Sequence, residues 1–241
     1  MQKYKTLIFD LDNTLIDNNR SMIYAFEQLL NFLQLPCTSA MKQDWLDFDS
    51  YYWHQWESGK IILPDSVQTL EDKRVYLRTN YFRDFFRKYK IFISFETALK
   101  ICDLYYSSLG VDIVEIEGAS TLLQSLHNNY EIVIATNGQT ETAYKKLEKS
   151  NLLPYIENVV SSDQIGFSKP MPEFFQVLFE RVKNKEKDKM LLIGDSLNTD
   201  ILGGNRNGID TCWFNPSSQA IQNNVQPTMT IQKLLQLKKE L

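Results

Sequence analysis

The sequence predicts an α/β protein: an open, doubly wound parallel sheet interrupted by an all-helical insertion. Three observations predict it. Short apolar runs recur at residues 6–9, 132–135, 190–193 and 211–214, without the alternation of a half-exposed strand, as strands buried on both faces require. From about residue 116 onward these runs alternate with segments of helical period, the pattern that connects parallel strands. Between 17 and 113 strand-like runs are almost absent and only Gly59 precedes Gly110. That stretch therefore reads as a helical insertion (17–113) in a sheet domain made of two pieces, 1–16 and 114–241.

Taken in order, Thr6-Leu7-Ile8-Phe9 is the first strand. Met22, Ala25, Phe26, Leu29, Leu30 and Leu33 then follow the helical period, and aromatic-rich, mixed-charge helices are expected over 39–57, 68–89 and 95–108. In the second piece, helices are expected over 118–128, 140–149, 171–184, 198–206 and 231–239. They separate the strands at Ile132–Ala135, Met190–Ile193 and Thr211–Phe214; Val159-Val160 is too short to read as a strand buried on both faces.

Composition bounds the function. With 43% hydrophobic and 23% charged residues in 241, a disordered or fibrous chain is excluded. No apolar run approaches the roughly 20 residues of a membrane span, and the amino terminus lacks a signal-peptide stretch, so a cytoplasmic protein without membrane partners is expected. Cys37, Cys102 and Cys212 are odd in number and far apart, which argues against a disulfide framework; they read as small core residues. His54 and His127 are the only histidines, which excludes a multi-histidine metal site and leaves the chemistry to carboxylates. A net charge of −4 argues against a general nucleic-acid binder.

Four features fall near the carboxyl ends of expected strands, where open parallel sheets bind ligands. They are Asp10-Leu11-Asp12-Asn13-Thr14, Thr136-Asn137-Gly138, Ser168-Lys169-Pro170 and Gly194-Asp195-Ser196-Leu197-Asn198-Thr199-Asp200. Asp10, Asp12, Asp195 and Asp200 would place about four negative charges in one cleft against a single Lys169, which a divalent cation relieves. Their hard oxygen ligands favour Mg²⁺. Lys169, the Thr136 hydroxyl and the N–H groups of Asn137 and Gly138 would receive a phosphoryl group. Asp10 could attack phosphorus, while Asp12 protonates the leaving oxygen and then activates water. Taken alone, each motif has a plainer reading: Asp-x-Asp as a turn with a helix cap, Asp200 as an acid complementing a helix dipole, Lys169 as a surface lysine. Their order along one sheet is what argues for a site.

These motifs resemble the haloacid dehalogenase-like (HAD) superfamily. The resemblance implies a Rossmann-like core with an inserted helical cap that selects the substrate. It implies Asp10 as nucleophile and Asp12 as acid/base with its main-chain carbonyl on Mg²⁺. Asp195 and Asp200 would also serve the metal, and Thr136 and Lys169 would hold the phosphoryl group. Ile134-Ala135-Thr136-Asn137-Gly138, Asp200-Ile201-Leu202-Gly203-Gly204 and Thr211-Cys212-Trp213-Phe214-Asn215, with Trp53 through Ile61, resemble the YjjG-type pyrimidine 5′-nucleotidases. That narrower likeness implies a nucleoside monophosphate substrate. The aromatics of the helical insertion read mostly as core; among them Trp53 is the candidate to stack on a base, with Arg78 as a polar contact, and a monomer or weak homo-oligomer is expected. The alternatives are a phosphatase or phosphomutase for sugar phosphates or phosphoglycolate, and a non-catalytic binding relative.

Overall fold

The computed structural model describes residues 3–221 and 225–241. It divides into two compact units: Met1–Asn18 with Ile113–Leu241, and Asn19–Asp112.

The first unit is built on a six-stranded, all-parallel sheet: β1 (Thr6–Phe9), β2 (Glu131–Thr136), β3 (Asn158–Ser161), β4 (Met190–Gly194), β5 (Asp210–Phe214) and β6 (Met229–Ile231). Its spatial order is β3-β2-β1-β4-β5-β6. The chain runs outward from β1 to β3, then restarts on the other side of β1 with β4. The reversal between β1 and β4 leaves a crevice at their carboxyl ends, the usual ligand position in such sheets. Register brings those ends level, with Phe9 beside both Ile134 and Ile193.

Side chains along each strand alternate between two covered faces. Leu7, Phe9, Ile132, Ile134, Leu191, Ile193, Cys212 and Phe214 join one core with residues of α5 (Ala119–Leu126) and α6 (Thr140–Lys149). Ile8, Val133, Ala135, Val160 and Leu192 face the other way, against Phe174, Phe175 and Leu178 of α8 (Pro172–Arg181), which follows the single turn α7 (Ser162–Ile165). Burial on both faces explains why these strands read as continuous apolar runs.

The second unit holds α2 (Ser39–Glu57), α3 (Leu70–Lys88), α4 (Phe95–Ser108) and all but the first residue of α1 (Asn18–Phe32). Side chains cap α2, α3 and α4 at their amino ends. Thr38 accepts from Met41 N–H, Thr69 and Asp72 form a reciprocal capping box, and Ser94 accepts from Thr97 N–H; each such cap contributes about 1 kcal/mol. The interior is aromatic: Phe26 stacks on Trp45 with centroids 4.5 Å apart, and Phe85 meets both edge-on. Among the described residues, no helix is long and apolar enough to cross a membrane.

The structure corrects several local expectations. Asn158–Ser161 does form a strand, paired with β2. The expected helix 231–239 is instead β6 followed by a 3₁₀ segment, Leu234–Lys239, because Met229–Ile231 pairs with β5. The helix expected over 198–206 begins as a π-turn, Leu197–Ile201, before α9 (Leu202–Asn207). The helix expected to reach 184 stops at Arg181, where the Lys185 ammonium takes the carbonyls of Phe179, Glu180 and Val182. Cys37 is exposed rather than core, whereas Cys102 and Cys212 are buried.

Candidate active site

The site lies in the first unit, on loops that leave β1, β2 and β4 and on the segment carrying Lys169. Asp10 follows β1 directly, and its N–H donates to the Ile193 carbonyl at 2.8 Å. Asn13, three residues on, has a left-handed φ of 62°. Asparagine tolerates that conformation, and here the Asn13 side chain also accepts from Asn18 N–H at 3.1 Å. The tight loop turns the Thr14 hydroxyl back to donate to Asp10 Oδ2 at 3.1 Å.

Lys169 is the hub. It is 1% exposed, and its ammonium donates to Asp10 Oδ1 at 2.7 Å, Asp200 Oδ1 at 2.7 Å and the Ala135 carbonyl at 2.5 Å. A buried ammonium survives only when its donors are met this fully. Asn137 sets the backbone of this lysine: its side chain accepts from Lys169 N–H at 2.8 Å and donates to the Lys169 carbonyl at 3.0 Å. The Asn137 side chain thus places Lys169, a role beside the phosphate contact expected of its backbone N–H. The Gly138 N–H donates to the Thr136 hydroxyl at 3.0 Å, so it points inward and is not offered to an anion, contrary to expectation. Thr136 itself is buried at the end of β2.

Asp200 comes in from the π-turn. Its second oxygen accepts from Ser196 N–H at 3.1 Å. The approach to β4 is so close that a Cβ on Gly194 would lie 2.3 Å from the Asp200 carboxylate; glycine is required there for space. Asp195, beside it, has its backbone carbonyl held by the indole N–H of Trp213 at 2.8 Å.

Asp10, Asp195 and Asp200 can each present one carboxylate oxygen within 4.8 Å of the others. The cluster is electrostatically unfavourable as it stands. Burial pushes the Asp10 carboxyl up to about 7, with Lys169 opposing and the Asp200 and Asp12 charges adding. Burial also holds the Asp195 carboxyl well above its ordinary range, with Asp10 and Asp200 reinforcing it. Burial works against the Lys169 charge, yet Asp10 and Asp200 outweigh it and raise its pKa. Three hard carboxylates gathered in one place, two of them held toward their protonated form by burial, fit a hard divalent cation.

Asp12 stands apart from this group. Its Oδ1 is 2.5 Å from the Lys146 ammonium, which also donates to Asn18 Oδ1 at 2.6 Å. The structure therefore clusters three of the four expected acids by their carboxylates, and it supplies a second cation where the sequence pointed only to Lys169. Lys146 had a sequence signal. It falls on the apolar stripe of α6 with Thr142, Ala143 and Leu147, whereas its neighbour Lys145 pairs with Glu141 at the surface. Thr14, Ser196 and Trp213 also gain roles that motif reading did not assign.

The two residues expected to meet the base, Trp53 and Arg78, belong to the second unit. The Trp53 indole N–H donates to Asp49 Oδ1 at 3.0 Å, an oxygen it shares with the Tyr81 hydroxyl at 2.8 Å. The Arg78 guanidinium lies over the Tyr106 ring, 4.7 Å from its centroid. The two histidines do not join the site: His127 is half-buried and packs on Tyr155, and His54 is exposed on α2.

The chain has full-length relatives among known proteins. The chain is similar to the HAD-hydrolase YfnB of Bacillus subtilis, with 32% identity covering 98% of this chain and 95% of that one. A crystal structure of YfnB bound to magnesium superposes with a TM-score of 0.88, at 31% identity and 99% coverage of both chains. The chain is also similar to the pyrimidine 5′-nucleotidase PynA of Streptococcus pneumoniae, with 33% identity over 95% of this chain and 91% of that one. A family model described as haloacid dehalogenase-like hydrolase matches residues 4–208, a span that takes in every acid and lysine of the site. The chain belongs to the haloacid dehalogenase-like hydrolase family.

Proposed function

We propose that the chain is a Mg²⁺-dependent phosphomonoesterase that works through an aspartyl-phosphate on Asp10, and that its substrates are nucleoside 5′-monophosphates, pyrimidine ones foremost. The observation that carries the chemistry is the arrangement around Asp10: one oxygen on Lys169, the other on Thr14, and two further carboxylates at hand. The substrate class rests on the likeness to PynA, which runs nearly the full length of both chains.

Asp10, Asp195 and Asp200 would hold the cation. When bound, Mg²⁺ would neutralise the cluster and attract a phosphate oxygen. The rest falls to the protein. Lys169 and Thr14 keep the Asp10 carboxylate aimed in one direction, which lowers the entropic cost of reaching phosphorus. An Asp10 oxygen forms a bond to phosphorus as the ester P–O bond breaks, and Asp12 gives its proton to the departing sugar oxygen. Asp12, now a carboxylate, takes a proton from water as that water attacks phosphorus; phosphate leaves and Asp10 is regenerated. The Lys169 charge draws the phosphoryl group in, and the Thr136 hydroxyl donates to one of its oxygens. Trp53 and Arg78 are the proposed contacts to the nucleoside.

The test is hydrolysis of p-nitrophenyl phosphate and of a panel of nucleoside monophosphates, sugar phosphates and phosphoglycolate, with and without Mg²⁺. Turnover that needs Mg²⁺, is lost in Asp10→Asn, and favours pyrimidine nucleotides is expected. A preference of tenfold or more for sugar phosphates, about 1.4 kcal/mol in transition-state discrimination, would overturn the substrate assignment.

A further inference from the structure

The structure assigns Lys146 as a positioning residue for the acid/base Asp12. The inference rests on the function proposed above. Lys146 is 2% exposed, in the middle of an amphipathic helix whose buried face is otherwise small or apolar. A lysine is almost never buried to that degree without partners. It has two, Asp12 Oδ1 at 2.5 Å on the loop that carries the nucleophile and Asn18 Oδ1 at 2.6 Å at the start of α1, where that loop ends.

The geometry points to more than a pinned loop. Lys146 takes Oδ1 of Asp12, while Oδ2 is turned toward the turn that follows β2: a Cβ on Gly138 would lie 3.5 Å from that oxygen and 3.2 Å from the Thr136 hydroxyl. The lysine therefore fixes which Asp12 oxygen faces the Thr136–Gly138 loop, where the phosphoryl group is proposed to sit. Asn18 completes the arrangement, since its N–H is held by Asn13 and its side chain gives the ammonium a second, uncharged acceptor. Lys146 itself touches neither substrate nor cation in this scheme; it acts through Asp12.

The test separates positioning from scaffolding. Lys146→Met and Lys146→Arg are measured for steady-state turnover of a nucleoside monophosphate and for the pre-steady-state burst of p-nitrophenolate, whose departure needs no proton from Asp12. Lys146→Met is expected to lower kcat on the nucleotide by tenfold or more with KM within about threefold, to leave the burst rate within about twofold, and to have no further effect in an Asp12→Asn background. Lys146→Arg is expected to recover a large part of the loss. Equal losses in burst and nucleotide turnover, or additive losses with Asp12→Asn, would mean that the lysine only holds the fold and would overturn the inference, as would an unchanged nucleotide kcat. A wild-type protein that hydrolyses none of these esters instead overturns the function on which the inference rests. Should Lys146→Met fail to fold, the burst-to-turnover ratio of Lys146→Arg against wild type carries the same decision: a change confined to turnover supports positioning, and no change opposes it.

Discussion

The Lys169 ammonium donates to Asp10 Oδ1 across 2.7 Å, with the lysine 1% and the aspartate 6% exposed. This contact joins the end of β1 to a segment 159 residues later, and it holds a carboxylate that burial alone would keep protonated. Removing the lysine leaves two acids buried without their cation. Lys169→Met is therefore expected to abolish turnover and to destabilise the metal-free protein by roughly 3–5 kcal/mol, measured by denaturant unfolding. A variant of wild-type stability would contradict the buried pairing.

A second prediction concerns pH. The folded Asp10 carboxyl is raised to about 7, against an ordinary value near 4, so the folded chain holds a proton that the unfolded chain has released. Its favourable contribution to folding is complete below the unfolded value and is lost as pH rises through the folded one. In EDTA, Asp10→Asn is expected to match wild type in Tm near pH 4 and to exceed it at pH 8. Mg²⁺ is expected to raise the wild-type Tm more at pH 8 than at pH 5, because protons and cation compete for the same oxygens. A Mg²⁺ effect larger at pH 5 would reverse that order and refute it.

Gly194 tests the space around Asp200. A methyl group there meets the Asp200 carboxylate at 2.3 Å, so Gly194→Ala must displace the acid from Lys169 and from the Ser196 N–H. A loss of about 1–3 kcal/mol in stability, with at least tenfold lower turnover, is expected; near-normal activity would show that Asp200 need not stand where it does.

Trp213 tests support for Asp195. Trp213→Phe keeps a ring in the core but removes the 2.8 Å bond to the Asp195 carbonyl. The expected loss is about 1 kcal/mol in stability and about tenfold in Mg²⁺ affinity, read by titration calorimetry. Unchanged affinity would assign the indole to packing alone.

Much of this was legible in the sequence because the information was local. Strands buried on both faces announce themselves as apolar runs, and Asp10, Thr136 and Asp195 each lie at or immediately after the carboxyl end of one. What was not legible depends on contacts distant in sequence. Lys146 and Asp12 are 134 residues apart, and the Lys145-Lys146 pair gives no sign of which member turns inward until the helix phase is set by Ala143 and Leu147. The π-turn over Leu197–Ile201 reflects a tertiary demand, since Asp200 must reach both Lys169 and the Ser196 N–H. β6 is three residues long, and only pairing with β5 makes Met229–Ile231 a strand. Asn137 adds a role that motif reading did not assign: its position beside the site was evident, and its side chain also holds the backbone of Lys169, 32 residues away.

The most direct measurement is to quench the Mg²⁺-loaded enzyme with acid during turnover of a nucleoside monophosphate and to map covalent phosphate by mass spectrometry. One phosphoryl group on Asp10, absent from Asp10→Asn and accumulating in Asp12→Asn, where the second step lacks its base, is the expected result. Turnover with no phosphoryl group on Asp10 under any of these conditions would contradict it.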